Sequence, residues 1–166
     1  MTENSPWTSF DININLILLF IFLGFATFIL AIKSWIFLVV FWVFILLYIV
    51  VGRYVTCRHC DYLGKPCPSW CMGIIGAKLY KRSEKENFCK EGFLIPFLCD
   101  ILVLIIAVAI PIMTYLIELW TVGLRLVDWI ILIIYIVIIG VTLVMHSITG
   151  CKKCTIKDCP LSGNRK

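Results

Sequence analysis

Four long runs of apolar residues dominate this sequence and constrain its fold more than any other feature. They cover residues 12–32, 34–52, 101–117 and 129–148. Each run is apolar all round, whereas the helices of a soluble bundle alternate polar and apolar faces. A helix of about 20 such residues crosses the hydrocarbon core of a bilayer. The sequence therefore predicts an all-α membrane protein with four transmembrane helices arranged as two hairpins.

The basic residues indicate how these helices are oriented. Of the 15 Lys and Arg residues, all but Lys33 and Arg125 lie between residues 53 and 92 or after residue 149. Positively charged connections stay on the cytoplasmic side of a membrane. We therefore expect a multi-pass integral membrane protein whose N- and C-termini and middle loop are cytoplasmic. Trp7 is then expected at the inner membrane boundary, as part of an aromatic belt.

These features divide the chain into four segments. Residues 1–52 hold an N-terminal segment and the first transmembrane hairpin, and residues 53–92 form a cysteine-rich loop with an interfacial helix. Residues 93–148 hold the second hairpin, and residues 149–166 form a cysteine-rich tail. The loop and the tail are predicted to build a small cytoplasmic cap.

The nine cysteines lie in the predicted cytoplasmic segments or near the inner end of the third span. Because the cytoplasm keeps thiols reduced, this placement argues against structural disulfides. A C-x2-C pair instead places two sulfurs on one tight turn, where each can lie about 2.3 Å from the same ion. His59 or Cys89 is a candidate additional ligand. The predicted metal ligands are the seven cysteines of two clusters: Cys57, Cys60, Cys67, Cys71, Cys151, Cys154 and Cys159.

The two clusters resemble each other. Each follows the second helix of a hairpin and ends in Cys-Pro, at Cys67-Pro68 and at Cys159-Pro160. This likeness predicts a 2+2 internal repeat. Two ligand arrangements stay open: one site within each cluster, or ligands shared between loop and tail. Cys89, Cys99 or His146 could complete a site in either arrangement.

Zinc is the leading metal because four thiolates, or three thiolates and an imidazole, form its usual structural sites. An iron–sulfur cluster is the alternative cofactor, since Cys-Pro ends the cysteine run of cluster-binding ferredoxins, although the spacings here differ. An iron–sulfur electron-transfer subunit is therefore the second function considered. The third is a soft-metal transporter or metal-handling protein, with Cys99 and Asp100 near the inner end of the third span.

The function that these features favour is a structural or docking subunit. Its metal-bound cap presents a basic face to a protein partner or a second copy of the chain on the cytoplasmic side. Ile74, Ile75 and Leu79, with the lysines around them, predict an interfacial helix that meets the bilayer and its anionic lipids. The sequence lacks a phosphate-binding loop, a nucleophile elbow and an H-E-x-x-H motif, which disfavours an enzyme. It carries no nucleic-acid motif, so no nucleic-acid partner is expected.

Overall fold

The computed structural model describes residues 5–52, 54, 57, 58, 60, 62–68, 72–82 and 94–154. Within these residues the chain is helical and contains no strand, so the all-α prediction is confirmed there. Two π-helices, Tyr48–Gly52 and His146–Cys151, continue the second and the last α-helix. The α-helices are α1 (Ser9–Lys33), α2 (Trp35–Leu47), α3 (Met72–Leu79), α4 (Leu94–Thr121) and α5 (Leu126–Met145).

Three helical segments are long and apolar enough to cross a membrane: Ser9–Lys33, Ile101–Thr121 and Leu126–Cys151. The predicted second span, over residues 34–52, is a shorter apolar helix from Trp35 to Val51. At 1.5 Å per residue it is about 25 Å long, which is near the lower limit for crossing the hydrocarbon core. The membrane-spanning character of three helices agrees with the sequence. The four-pass topology and its orientation stay predictions.

Local signals set the ends of the long helices. At the start of α1 the Asp11 N–H donates to the Thr8 hydroxyl at 3.3 Å, and the Thr8 N–H donates to the Asp11 carboxylate at 2.9 Å. This reciprocal pair satisfies two backbone donors at the helix start. One extended residue, Ser34, separates α1 from α2. In the turn between α4 and α5, Gly123 has a φ of 84°, a conformation that favours glycine.

The four long helices form a bundle with α1 and α4 at its centre. Each of these two helices contacts the other three long helices. Ala26 and Leu30 on α1 and Phe41 on α2 are fully buried in the core. Tyr135 on α5 is also fully buried, stacks on Phe22 at 6.1 Å between ring centroids and donates its hydroxyl to the Val108 carbonyl at 3.3 Å. The central core is therefore closed by apolar packing, and the buried hydroxyl of Tyr135 is paired.

The outward faces of the bundle are apolar and exposed. Only 28% of the α1 span and 17% of the last span are buried inside the protein. Apolar patches of this extent on a protein surface mark contact with a membrane or with other proteins. The helices are thus compatible with a lipid bilayer around them, as the sequence predicts.

Candidate functional site

Five of the predicted ligand cysteines fall on described residues: Cys57, Cys60, Cys67, Cys151 and Cys154. Cys57 and Cys67 are buried, and the other three are partly buried. The remaining candidates lie outside the described residues, so the structure does not place them: Cys71, Cys89, Cys159 and His59. The side chains of Cys99 and Asp100, the candidates for metal transfer, are also outside what the structure describes.

Both C-x2-C motifs form the same backbone turn. The Cys60 N–H donates to the Cys57 carbonyl at 3.1 Å, and the Cys154 N–H donates to the Cys151 carbonyl at 3.1 Å. The loop turn begins five residues after the π-helix Tyr48–Gly52, and the tail turn begins at Cys151, the last residue of the π-helix His146–Cys151. Both π-helices continue an apolar α-helix. The likeness between the two sequence motifs therefore extends to their local backbone structure.

The loop and the tail meet around Trp7. The Trp7 ring packs edge-on against Tyr62, with 4.6 Å between the ring centroids, and the Trp7 Nε1–H donates to the Gly150 carbonyl at 3.0 Å. Trp7 is 8% exposed, so its ring packs inside the protein, and its expected depth at the inner membrane boundary stays a prediction. Its indole N–H has a buried acceptor in the tail, which lets the ring leave the surface. A small cluster separate from the main core results, comprising Trp7, Ile12, Tyr62 and Cys67, with Cys60 and Cys154 packed against it.

Cys60 lies at the centre of the described thiols. The pKa of the Cys60 thiol is raised to about 12, mainly by burial and in smaller part by charge on Cys57, Cys67 and Cys154. A hydrogen bond from the Tyr62 backbone acts in the opposite direction. Electrostatic effects of this kind require the four thiols to be near one another. The structure thus brings together three cysteines of the loop and one of the tail.

The described thiols are close, but they do not form a finished metal site. Among the residues that the structure describes, no group of three or more His, Cys, Asp or Glu side chains is arranged to hold a metal ion. Cysteine ligands lose their protons and adopt their final geometry as the metal binds. The arrangement is therefore a gathering of thiols from two segments, at the position where the sequence predicts a cap.

Helix α3 packs on the cysteine loop through its glycines. The Gly73 N–H donates to the Cys67 Sγ at 3.3 Å. A Cβ at Gly73 would lie 2.3 Å from the Lys65 carbonyl oxygen and 2.7 Å from the Tyr62 carbonyl oxygen, which no side chain tolerates. A Cβ at Gly76, one turn later, would lie 3.4 Å from the Cys57 Cβ. Sequence reasoning missed this contact, although the G-x-x-G spacing of residues 73–76 was the signal for it.

The opposite face of α3 is apolar and uncovered. Ile74 and Ile75 are each 40% exposed, and Leu79 is 58% exposed. Beyond the helix, the Tyr80 hydroxyl donates to the Val50 carbonyl at 2.8 Å, which ties α3 to the end of the second apolar helix. The predicted helix is present with its apolar face outward. Its contact with lipid stays a prediction.

A buried asparagine joins the tail to α1. Asn15 is 2% exposed, and its Nδ2 donates to the Asp11 carbonyl at 2.6 Å and to the Thr149 hydroxyl at 2.7 Å. Its Oδ1 lies 3.1 Å from the Nδ1 of His146. His146, one candidate for completing a metal site, therefore directs this nitrogen to Asn15. Since a buried amide needs all of its partners, Asn15 fixes the end of the last helix against α1.

Two further contacts hold the tail in place. The Lys153 ammonium lies 2.8 Å from both carboxylate oxygens of Asp11. Gly150 lies against the Cys-Pro of the loop, since a Cβ there would be 3.4 Å from the Pro68 Cγ. The N-terminal segment, the loop and the tail thus meet at one end of the bundle, as a single cap requires.

Replacement of Trp7 by phenylalanine tests this junction. The Trp7→Phe variant keeps an aromatic ring but removes the hydrogen bond to the Gly150 carbonyl. We expect a loss of about 1–2 kcal/mol in the local stability of the tail, because the buried carbonyl loses its donor. Hydrogen exchange of residues 146–154 measures this loss. Equal protection in the variant and the wild type would show that the indole N–H does not hold the tail.

Comparison with known proteins gives no assignment. No protein-family model matches the chain, no curated protein matches it, and no solved structure matches it. The function is therefore argued from the contacts of the chain's own residues.

Proposed function

We propose that this chain is an integral membrane protein whose cytoplasmic cysteine cap binds zinc and serves as a structural and docking module. The observation that carries the proposal is the gathering of Cys60, Cys67 and Cys154 in the cluster around Trp7, with Cys57 close enough to act on the Cys60 thiol. Four thiolates suffice for a closed tetrahedral zinc site, which leaves no open position for catalysis. Of the two ligand arrangements that the sequence leaves open, this gathering favours ligands shared between loop and tail.

Zinc would supply stability that the cap otherwise lacks. The described cap has one small apolar cluster, whereas the main core lies among the long helices. Segments this short gain folding free energy from a bound metal, because the site exists only in the folded form. A Gly73 N–H already directed at the Cys67 Sγ suits a thiolate, which is a better acceptor than a thiol.

The same proposal includes the finer topology. Four membrane passes with both termini cytoplasmic agree with the distribution of Lys and Arg. The recurrence of a π-helix and an identical C-x2-C turn supports a 2+2 repeat of hairpin and cysteine turn. The shared zinc then joins the ends of the two repeats, and the cap offers its basic surface to a protein partner or a second copy of the chain.

Elemental analysis of the full chain, purified without oxygen, tests the zinc site. We expect at least one zinc and no iron per chain. Cys57→Ser and Cys154→Ser should each remove the same zinc ion, so the double variant should lose no more zinc than either single variant. The matched control is Lys152→Gln, at an exposed residue inside the C-x2-C turn of the tail, which should keep the wild-type zinc content.

Each other result has a definite meaning for this proposal. Additive zinc losses in the double variant would replace the shared site with one site in each cluster. Iron near four atoms per chain, with a brown colour that bleaches on reduction, would replace zinc with the iron–sulfur alternative. A protein with neither metal would overturn the metal-binding cap.

A structural role for zinc predicts that its removal opens the cap and spares the bundle. After chelation, proteases should cleave residues 53–92 and the tail faster, while α1, α4 and α5 stay intact. The expected cause is that the zinc ion no longer joins the loop to the tail. Unchanged cleavage after zinc has left the protein would show that the cap stands without it.

We further propose that α3 lies on the membrane surface and binds anionic lipid. Its glycine face is occupied by the cysteine loop, while its apolar face is uncovered and Lys78, Lys81 and Arg82 are exposed beside it. The hydrogen bond from the Tyr80 hydroxyl to the Val50 carbonyl holds this face close to the end of an apolar helix. The bilayer is therefore the partner within reach, and headgroups complement the basic residues.

Reconstitution in nanodiscs with and without anionic lipid tests the lipid contact. We expect slower hydrogen exchange of residues 72–82 in anionic discs, because bound headgroups hold the helix on the surface. Replacement of Lys78, Lys81 and Arg82 by glutamine should abolish the difference, and replacement of the exposed Lys152 should not. Equal exchange in both kinds of disc would remove the anionic-lipid partner.

A further inference from the structure

A network of charged groups lies at the end of the bundle away from the cysteines. The Lys33 ammonium is 2.5 Å from the Glu118 Oε2 and 2.6 Å from the Asp128 Oδ1. It also lies 5.0 Å above the ring centroid of Tyr115. The Lys33 and Asp128 side chains are only 15% and 12% exposed, so these contacts hold the network in one arrangement. One ammonium facing two carboxylates leaves a net negative charge.

A cavity of about 740 Å³ lies over this network. Its walls come from the connection between α1 and α2, the end of α4 and the start of α5. Its volume falls within the range of about 300–1,000 Å³ that is usual for small-molecule sites. Arg125 is exposed and also lines the cavity. The cavity therefore presents two carboxylates and two cations, and the charge of the Arg125 guanidinium acts on Asp128 as well.

Apolar groups complete the walls. Phe37, Ile117 and Val127 line the same cavity as the charged residues. The cavity lies at the ends of helices long enough to span a bilayer, which is the level of the lipid headgroups. A ligand suited to it carries a cation, an anion and an apolar part, and can reach the site from the membrane.

We propose that this cavity binds a zwitterion with a primary ammonium and a phosphate, as found in a phosphatidylethanolamine headgroup. The ammonium donates to the Glu118 carboxylate, which is 32% exposed and has capacity beyond Lys33. The phosphate accepts from the Arg125 guanidinium, whose planar donors match phosphate geometry. The glycerol and acyl part lies along Phe37, Ile117 and Val127. This site does not depend on whether the cysteine cap holds zinc.

The same chemistry predicts selectivity among lipids. A phosphatidylcholine headgroup has the same charges, but its quaternary ammonium has no proton to donate to Glu118. A phosphatidylglycerol headgroup has no cation. It therefore brings a negative phosphate to the cavity but no ammonium to face the Glu118 carboxylate. We expect phosphatidylethanolamine to be favoured roughly tenfold over phosphatidylcholine, the loss expected for one hydrogen bond to a charged group, and phosphatidylglycerol to bind least.

Native mass spectrometry of the full chain, with the three lipids supplied in equal amounts, tests the proposal. Wild-type protein should retain phosphatidylethanolamine in preference to the others. Arg125→Gln should weaken retention of all three lipids, because the phosphate loses its donor. Glu118→Gln should reduce the preference for phosphatidylethanolamine over phosphatidylcholine. The matched control, Lys152→Gln, removes an exposed cation at the other end of the protein and should behave as wild type.

Arg125→Gln decides the proposal by itself, since Arg125 is exposed and its loss leaves the Lys33 contacts in place. Equal retention of the three lipids by the wild type, or identical behaviour of the Arg125 and Lys152 variants, would overturn the site. Excess soluble glycerophosphoethanolamine identifies the source of the ligand. If it displaces the lipid, the headgroup alone fills the cavity; if the lipid stays bound, the acyl part contributes and the bilayer is the source.

Discussion

Alanine at position 73 should disrupt the folded cysteine loop and lower the zinc content of the proposed site. The added Cβ would meet the Lys65 carbonyl oxygen at 2.3 Å and the Tyr62 carbonyl oxygen at 2.7 Å. Both are backbone atoms, so relief requires α3 and the loop to separate. We expect the Gly73→Ala variant to lose about 3 kcal/mol or more of local stability, the upper range for overpacking.

Hydrogen exchange of residues 57–82 and zinc content per chain measure the effect of Gly73→Ala. Gly24→Ala is the matched control, because a Cβ there meets nothing within 4 Å. That control should change stability by no more than about 1 kcal/mol, and in the stabilising direction, since alanine favours a helix. Gly76→Ala should fall between the two, as its tightest contact, at 3.3 Å, is with the movable Leu63 side chain. Wild-type exchange and zinc content in Gly73→Ala would contradict the packing of α3 on the loop.

Replacement of Lys33 by methionine should destabilise the end of the bundle that lies away from the cysteine loop. Methionine keeps the length of the side chain but leaves Glu118 and Asp128 without the ammonium between them. Removing the ammonium leaves two neighbouring carboxylates without a compensating charge, which destabilises the folded state. Asp128 is 12% exposed on its side chain, so water replaces the ammonium poorly. The full chain in detergent should show a clearly lower unfolding temperature.

Neutral partners should reverse the effect of Lys33→Met. Combination with Glu118→Gln and Asp128→Asn removes both stranded charges and should recover most of the lost unfolding temperature. Lys152→Met, at an exposed lysine in the tail, is the control and should unfold as the wild type does. A triple variant no more stable than Lys33→Met alone would show that the side chain of Lys33 stabilises the bundle by packing, not by charge.

Hydropathy predicts the long helices well because it is a local property. The runs at residues 12–32, 101–117 and 129–148 lie inside observed helical segments that are long enough to span a membrane. The second run was less predictable. Its α-helix begins only after the extended Ser34 and gives way to a π-helix at Tyr48, and neither change alters the hydropathy.

The two C-x2-C turns of the candidate site were predictable from the sequence, but the way in which they come together was not. Cysteine spacing indicates which thiols can share a turn, and both C-x2-C turns are observed. The approach of one turn to the other depends on long-range contacts. One of these is the hydrogen bond from Trp7 to the Gly150 carbonyl, which joins residues 143 positions apart. No local pattern marks Trp7 as different from a tryptophan at a membrane boundary. The partner that distinguishes it is a backbone carbonyl, which every residue has.

The sequence by itself determined that this is an all-α protein with apolar, membrane-compatible helices, and it marked the cysteines that pair on short turns. These properties follow from side-chain solubility and from spacing over a few residues. Only the tertiary structure decided that residues of the loop and the tail pack around Trp7, that Gly73 must lack a side chain, and that Lys33 meets Glu118 and Asp128 beside a cavity. Each of these features joins segments that are far apart in the chain. The packing of the helices, and not the local sequence, sets the distances between such segments.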